Sequence, residues 1–226
     1  MADKEFNDNI YYGGDAEEPT GPAADGPASG YDSGSGPGER PRRRGPWMTF
    51  LMLLAGPVQG WKRIKASRYE PQEYARTLFF PLLALMAACT FSGLFYRQGT
   101  TVATLLQEAI AAFVAGFGGY YLVLLLSESL LPVVAREKIQ APFGKIYVMA
   151  CMSALALSMT LWELFPFLEL LLMVLPIYVA YIVVKGLKPL RVPDREETSA
   201  AILLIVLILG IPTAIYFILL ALMPTP

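Results

Sequence analysis

Five apolar runs dominate the chain, near residues 78–96, 103–134, 146–165, 167–187 and 200–223. Each is long enough to cross a hydrocarbon core of about 30 Å, which takes roughly 20 helical residues. The pattern predicts an all-α fold: an integral membrane bundle of five transmembrane helices, residues 77–226. Pro166 falls between the third and fourth runs, in Glu163-Leu-Phe-Pro-Phe-Leu-Glu169, and is read as a tight hairpin between two spans. A shorter run, Trp47 to Ala55, reaches only about 15 Å as a helix and is broken by Gly56 and Pro57.

Polar positions between the runs orient them. Nine Lys and Arg lie between Arg40 and Arg76, one (Arg97) follows the first span, three (Arg136, Lys138, Lys145) the second and four (Lys185, Lys188, Arg191, Arg195) the fourth. None lies at Pro166 or after the last span. Basic residues favour the cytoplasmic side, so the alternation predicts a cytoplasmic N-terminus and an extracytoplasmic C-terminus.

Composition divides what precedes the bundle. Residues 1–46 hold nine Gly, six Pro and few large aliphatics, too little apolar surface to offset chain entropy, and read as a disordered cytoplasmic tail. Phe6 to Tyr12 within it has the makings of a short docking motif, and its acidic residues those of a shield for Arg42 to Arg44. Residues 47–76 read as an interfacial helix and a basic cytoplasmic connection. Trp47 and Trp61 bracket the segment, and Lys62, Arg63 and Lys65 follow at once, a composition suited to the headgroup plane and to anionic lipid. The competing reading buries Met48 to Ala55 under the bundle as a re-entrant piece.

Within the bundle, small residues recur every fourth position at Ala111, Ala115, Gly119 and at Ala150, Ala154, Ser158. That spacing suits close helix packing inside the chain, or else a homo-oligomer face. Gly116-Phe-Gly-Gly119 predicts flexibility at mid-depth of the second span, and Gly210-Ile-Pro212 a kink in the fifth.

Candidate chemistry is sparse. The chain has no histidine, and its two cysteines, Cys89 and Cys151, sit inside apolar runs. His-dependent metal sites and Ser-His or Cys-His nucleophiles are therefore excluded within this chain. Of the carboxylates near spans, Glu163 and Glu169 flank the hairpin and Glu108 lies near an outer end. Glu128 stands about 10 Å inside the opposite end, beside Ser127 and Ser129. An ionisable group at that depth is a functional candidate, either for proton or cation coupling or as a hydrated partner of a basic residue such as Lys145. No catalytic, cofactor or metal site is expected, and no nucleic-acid partner.

Leu54-Ala-Gly-Pro57 followed by Trp61 and Ile64, then Tyr147, Leu164-Phe-Pro166, Tyr178, Tyr181 and Lys185-Gly-Leu187, resembles the Yip domain family of Rab-interacting membrane proteins and their bacterial relatives. The resemblance covers residues 47–223. It implies a non-enzymatic scaffold or adaptor that binds protein partners or shapes the bilayer. Leu53 stands where the eukaryotic branch carries an Asp associated with Rab binding, so the chain is similar to the bacterial branch and Rab binding is not implied. That resemblance implies a bacterial cytoplasmic membrane as the location, with an ER or Golgi membrane as the alternative. The Thr-Pro pair common in the bacterial third span is also missing, near Ser153-Ala154. The rival expectation is a small transporter or channel with Glu128 in its pathway.

Overall fold

A computed structural model describes residues 45–135, 141–190 and 195–223. All regular structure among the described residues is helical. The expected tail, apart from Gly45 and Pro46, lies outside them.

Two short helices come first: α1 (Pro46–Ala55) and α2 (Pro57–Ser67). A proline opens each, where its missing amide costs no hydrogen bond. Gly56, in extended conformation, separates them. Arg68 ends α2 with φ 45°, the left-handed position usual after a helix, and Pro71 starts the next element.

Four helices are long and apolar enough to cross a membrane: α3 (Pro71–Tyr96), α4 (Val102–Ala135), α5 (Ala141–Leu164) and, at the end of the chain, one over Glu197–Leu222. The fourth apolar run, near residues 167–187, folds differently. It comprises a 3₁₀ turn, Pro166–Leu168, then α6 (Glu169–Leu172), a turn at Met173 and α7 (Val174–Lys185). The 12 residues of α7 make a continuous helix of only about 18 Å, short of the bilayer core. The helix over Glu197–Leu222 is called α8.

The expected kink before Pro212 appears as a π-helical turn, Val206–Gly210, and the same occurs at Ala75–Phe79 before Pro81. Proline removes the amide that would reach back four residues and crowds that carbonyl. The ladder widens there instead of breaking.

α5 is the central element: 72% of its most apolar stretch is buried inside the protein, against 22–39% for the other three long helices. The small-residue stripes explain this packing. Ala111, Ala115, Ala150 and Ala154 are all buried within the bundle. Gly116 and Gly119 lie in an unbroken helix and act by close approach, the first against Leu83 of α3 and the second against Pro212 of α8. The flexibility expected at these glycines is thus spent on packing, since backbones approach only where side chains are minimal.

Candidate functional site: the docked hairpin

α1 and α2 fold against each other as a hairpin. A Cβ on Gly60 would lie 2.3 Å from the Leu53 Cα, so only glycine permits this separation. Pro57, Gly60, Trp61 and Ile64 are all buried on one face of α2, at the helical spacing of 3, 4 and 7. Phe50 and Leu53 supply the matching face of α1.

This face docks on the last turn of α7. The Ile182 and Val183 carbonyls there both accept the Gly186 amide at 3.1 Å, and each takes a second donor from another helix. Trp61 Nε1 donates to the Ile182 carbonyl at 3.0 Å, and the Tyr147 hydroxyl, from α5, donates to that of Val183 at 2.8 Å. The two rings stack with centroids 4.9 Å apart, directly against Gly186. The Tyr178 hydroxyl returns a bond to the Leu54 carbonyl at the end of α1. Thr49 and Tyr69 share a buried hydrogen bond of 2.8 Å. Lys65 Nζ donates to the Pro189 carbonyl at 2.8 Å and lies 5.8 Å from the Phe143 ring centre.

Trp61 is therefore not a membrane-interface residue: it is fully buried, held by its indole hydrogen bond and the Tyr147 stack. Of the two tryptophans expected at the interface, Trp47 alone is exposed. It lies on an outer hairpin surface with Met48, Leu51 and Val58, each 42–54% exposed, beside the exposed Lys62, Arg63 and Lys65. The hairpin is thus amphipathic twice over, with one apolar face closed against the bundle and another left open.

Residues scattered through the sequence converge here. Leu54, Pro57, Trp61, Ile64, Tyr147, Tyr178 and Gly186 meet at this docking point, whereas Leu164-Phe-Pro166 lies at the far end of α5. The signal that could have placed Trp61 inside was the 57, 60, 61, 64 stripe. Its composition alone matches a surface helix equally well.

At that far end, Arg97 joins two carboxylates from different helices: Glu108 of α4 at 2.8 Å and Glu163 of α5 at 3.3 Å. Ser92 of α3 donates to the Glu163 backbone carbonyl at 2.6 Å. The clasp thus ties three long helices together. The one signal for it in the sequence is that Arg97 is the only basic residue between the first two spans, while its two carboxylates lie on different runs. Arg97→Gln is expected to cost about 1 kcal/mol, because the guanidinium is 46% exposed and solvent screens the pair. Thermal unfolding in detergent tests this, and a double-mutant cycle with Glu108→Gln should return a coupling of similar size. Strict additivity would show that the clasp carries no energy.

Glu128 lies on the exposed side of α4. Its neighbours Ser127 and Ser129 donate back to the Leu124 and Leu125 carbonyls of their own helix, 2.9 and 2.8 Å away. It faces away from the core, and the described residues place no polar path beside it.

Comparison with protein-family models, curated proteins and solved structures finds no match for this chain.

Proposed function

We propose that the chain is a non-enzymatic membrane scaffold or adaptor of the Yip domain type, bacterial branch, seated in the cytoplasmic membrane with its N-terminus on the cytoplasmic side. The observation carrying this reading is the docked hairpin. Its inner face is locked to the bundle, and its outer face offers Trp47, Met48, Leu51 and Val58 beside Lys62 and Arg63. A rigidly held amphipathic surface of this kind suits recognition of a headgroup layer or a partner, and performs no chemistry. The convergence of the resembling residues on this one point supports the family reading.

In this reading the hairpin's outer face is interfacial and contacts anionic lipid, with attraction of about 1 kcal/mol for each Lys or Arg near the surface. The run at 167–187 forms a fifth, discontinuous crossing, broken at Met173. The basic connections then all fall on one side. Tail residues 1–46 recruit the protein partner.

Tagged chain isolated in native lipid discs should carry a near-stoichiometric protein partner that is lost when residues 1–46 are removed. The joint Lys62→Gln and Arg63→Gln variant should lose anionic-lipid enrichment by about tenfold or more, the product of two such attractions. Discs that hold no partner in either form, with unchanged lipid, would overturn the adaptor reading.

A further inference from the structure

A groove of about 270 Å³ runs between α3 and α4 on the outside of the bundle. Ala87, Ala88 and Ala109 leave the space, and Phe91, Ile110 and Phe113 flank it; every lining residue is apolar. Aromatic contacts close its inner end: Phe113 stacks on Phe117 at 6.2 Å between centroids, and Phe117 meets Phe80 at 6.0 Å. On α4 the lining runs from Ala109 to Val114, about 7.5 Å along the helix, half of the roughly 15 Å that one leaflet contributes to the hydrocarbon core. A single acyl chain entering from the Arg97 surface has this reach. A helix of a second copy would need contact through the whole bilayer, and the small-residue stripes suited to such contact are already buried.

The groove's outer end borders the ionic clasp. Glu108 directly precedes Ala109, and Ser92, bonded to the Glu163 carbonyl, directly follows Phe91. One guanidinium shared by two carboxylates leaves one negative charge in excess, which an ammonium would neutralise. Arg97 remains 46% exposed, enough to meet a phosphate as well. The order carboxylate, guanidinium, carboxylate thus complements a zwitterion whose cation can donate hydrogen bonds, which a quaternary ammonium cannot.

We propose that this site binds one phospholipid with a primary-amine headgroup, its acyl chain in the α3–α4 groove and its headgroup on Arg97, Glu108 and Glu163. The proposal rests on the long helices crossing a membrane and not on the adaptor role, so either can fail alone.

The test uses the full chain purified from vesicles holding equal amounts of phosphatidylethanolamine and phosphatidylcholine with matched acyl chains, with retained lipid counted by native mass spectrometry. One phosphatidylethanolamine per chain is expected, favoured about fivefold, the low end for a hydrogen bond to a partly exposed charged group. Ala88→Phe, at an exposed position, should fill the groove and abolish retention, and Phe113→Ala should weaken it by removing a wall. Glu108→Gln should keep the lipid and lose the headgroup preference. Equal retention of both lipids by the native chain would overturn the proposal. So would retention indifferent to groove filling, or a dimer that buries Phe113.

Discussion

Replacing Gly186 with Ala is expected to be among the most damaging single-methyl changes this chain can suffer, at about 3 kcal/mol or more. The added Cβ would stand 2.2 Å from Tyr147 Cε2 and 2.9 Å from Trp61 Cε2. Flexible side-chain ends can move away from such a clash, but these are stacked, fully buried rings, each tethered by a hydrogen bond to α7 itself. Accommodating the methyl means breaking a tether, which strands a buried donor, or shifting the end of α7, whose Ile182 and Val183 carbonyls also hold the Gly186 amide. Overpacking alone costs about 1–3 kcal/mol, and each stranded polar group about as much again. Thermal unfolding in mild detergent measures it. A melting temperature within a degree or two of the native chain would show that the docking point is loosely packed.

Trp61→Ala should undock the hairpin. Truncating a buried tryptophan costs about 3–5 kcal/mol through lost burial and the cavity left behind, and the Ile182 carbonyl also loses its indole donor. Because α1 and α2 pack at the edge of the bundle, the loss should appear first as local opening, while the long helices stay assembled. Trypsin reads this directly at Lys62, Arg63 and Arg68. Cleavage there should accelerate by about a hundredfold or more, tenfold for each 1.4 kcal/mol of opening free energy lost. Trp61→Phe, which keeps most of the ring volume and drops only the donor, should fall between the two. Unchanged cleavage in Trp61→Ala would mean that the hairpin is held by α1 alone and that Trp61 is incidental.

Both variants probe function as well as stability. In the proposed reading the outer surface of the hairpin is useful only while the inner face holds it at a set height and angle. Undocking should therefore abolish anionic-lipid enrichment even in chains whose bundle survives. Unchanged lipid enrichment in a fully undocked Trp61→Ala protein would separate lipid contact from the hairpin.

Much of this architecture could be read along the chain, and the reason is locality. A run of apolar residues is a property of neighbours, so the helices over 71–96, 102–135, 141–164 and 197–222 follow closely from the runs that announced them. Proline acts locally too, and Pro81 and Pro212 leave their marks on the turns just before them. The small-residue stripes on α4 and α5 likewise declared a packing face, and they are buried in the chain's own core.

What the tertiary structure decided concerns partners distant in sequence. Trp61 followed by Lys62, Arg63 and Lys65 has the composition of a surface anchor, yet it is buried. The deciding fact is the Ile182 carbonyl, 121 positions away, which takes the indole as a second donor beside the Gly186 amide. Glu108 and Glu163 stand 55 positions apart on different helices, and only the fold brings both to Arg97. The break at Met173 in the run at 167–187 is local by contrast, three residues before Pro176, whose missing amide disrupts the turn ahead of it. Hydropathy sums along a chain and can be totalled without knowing the fold. A buried hydrogen bond or ion pair depends on two groups arriving at one place in the right geometry, and no local count contains that distance.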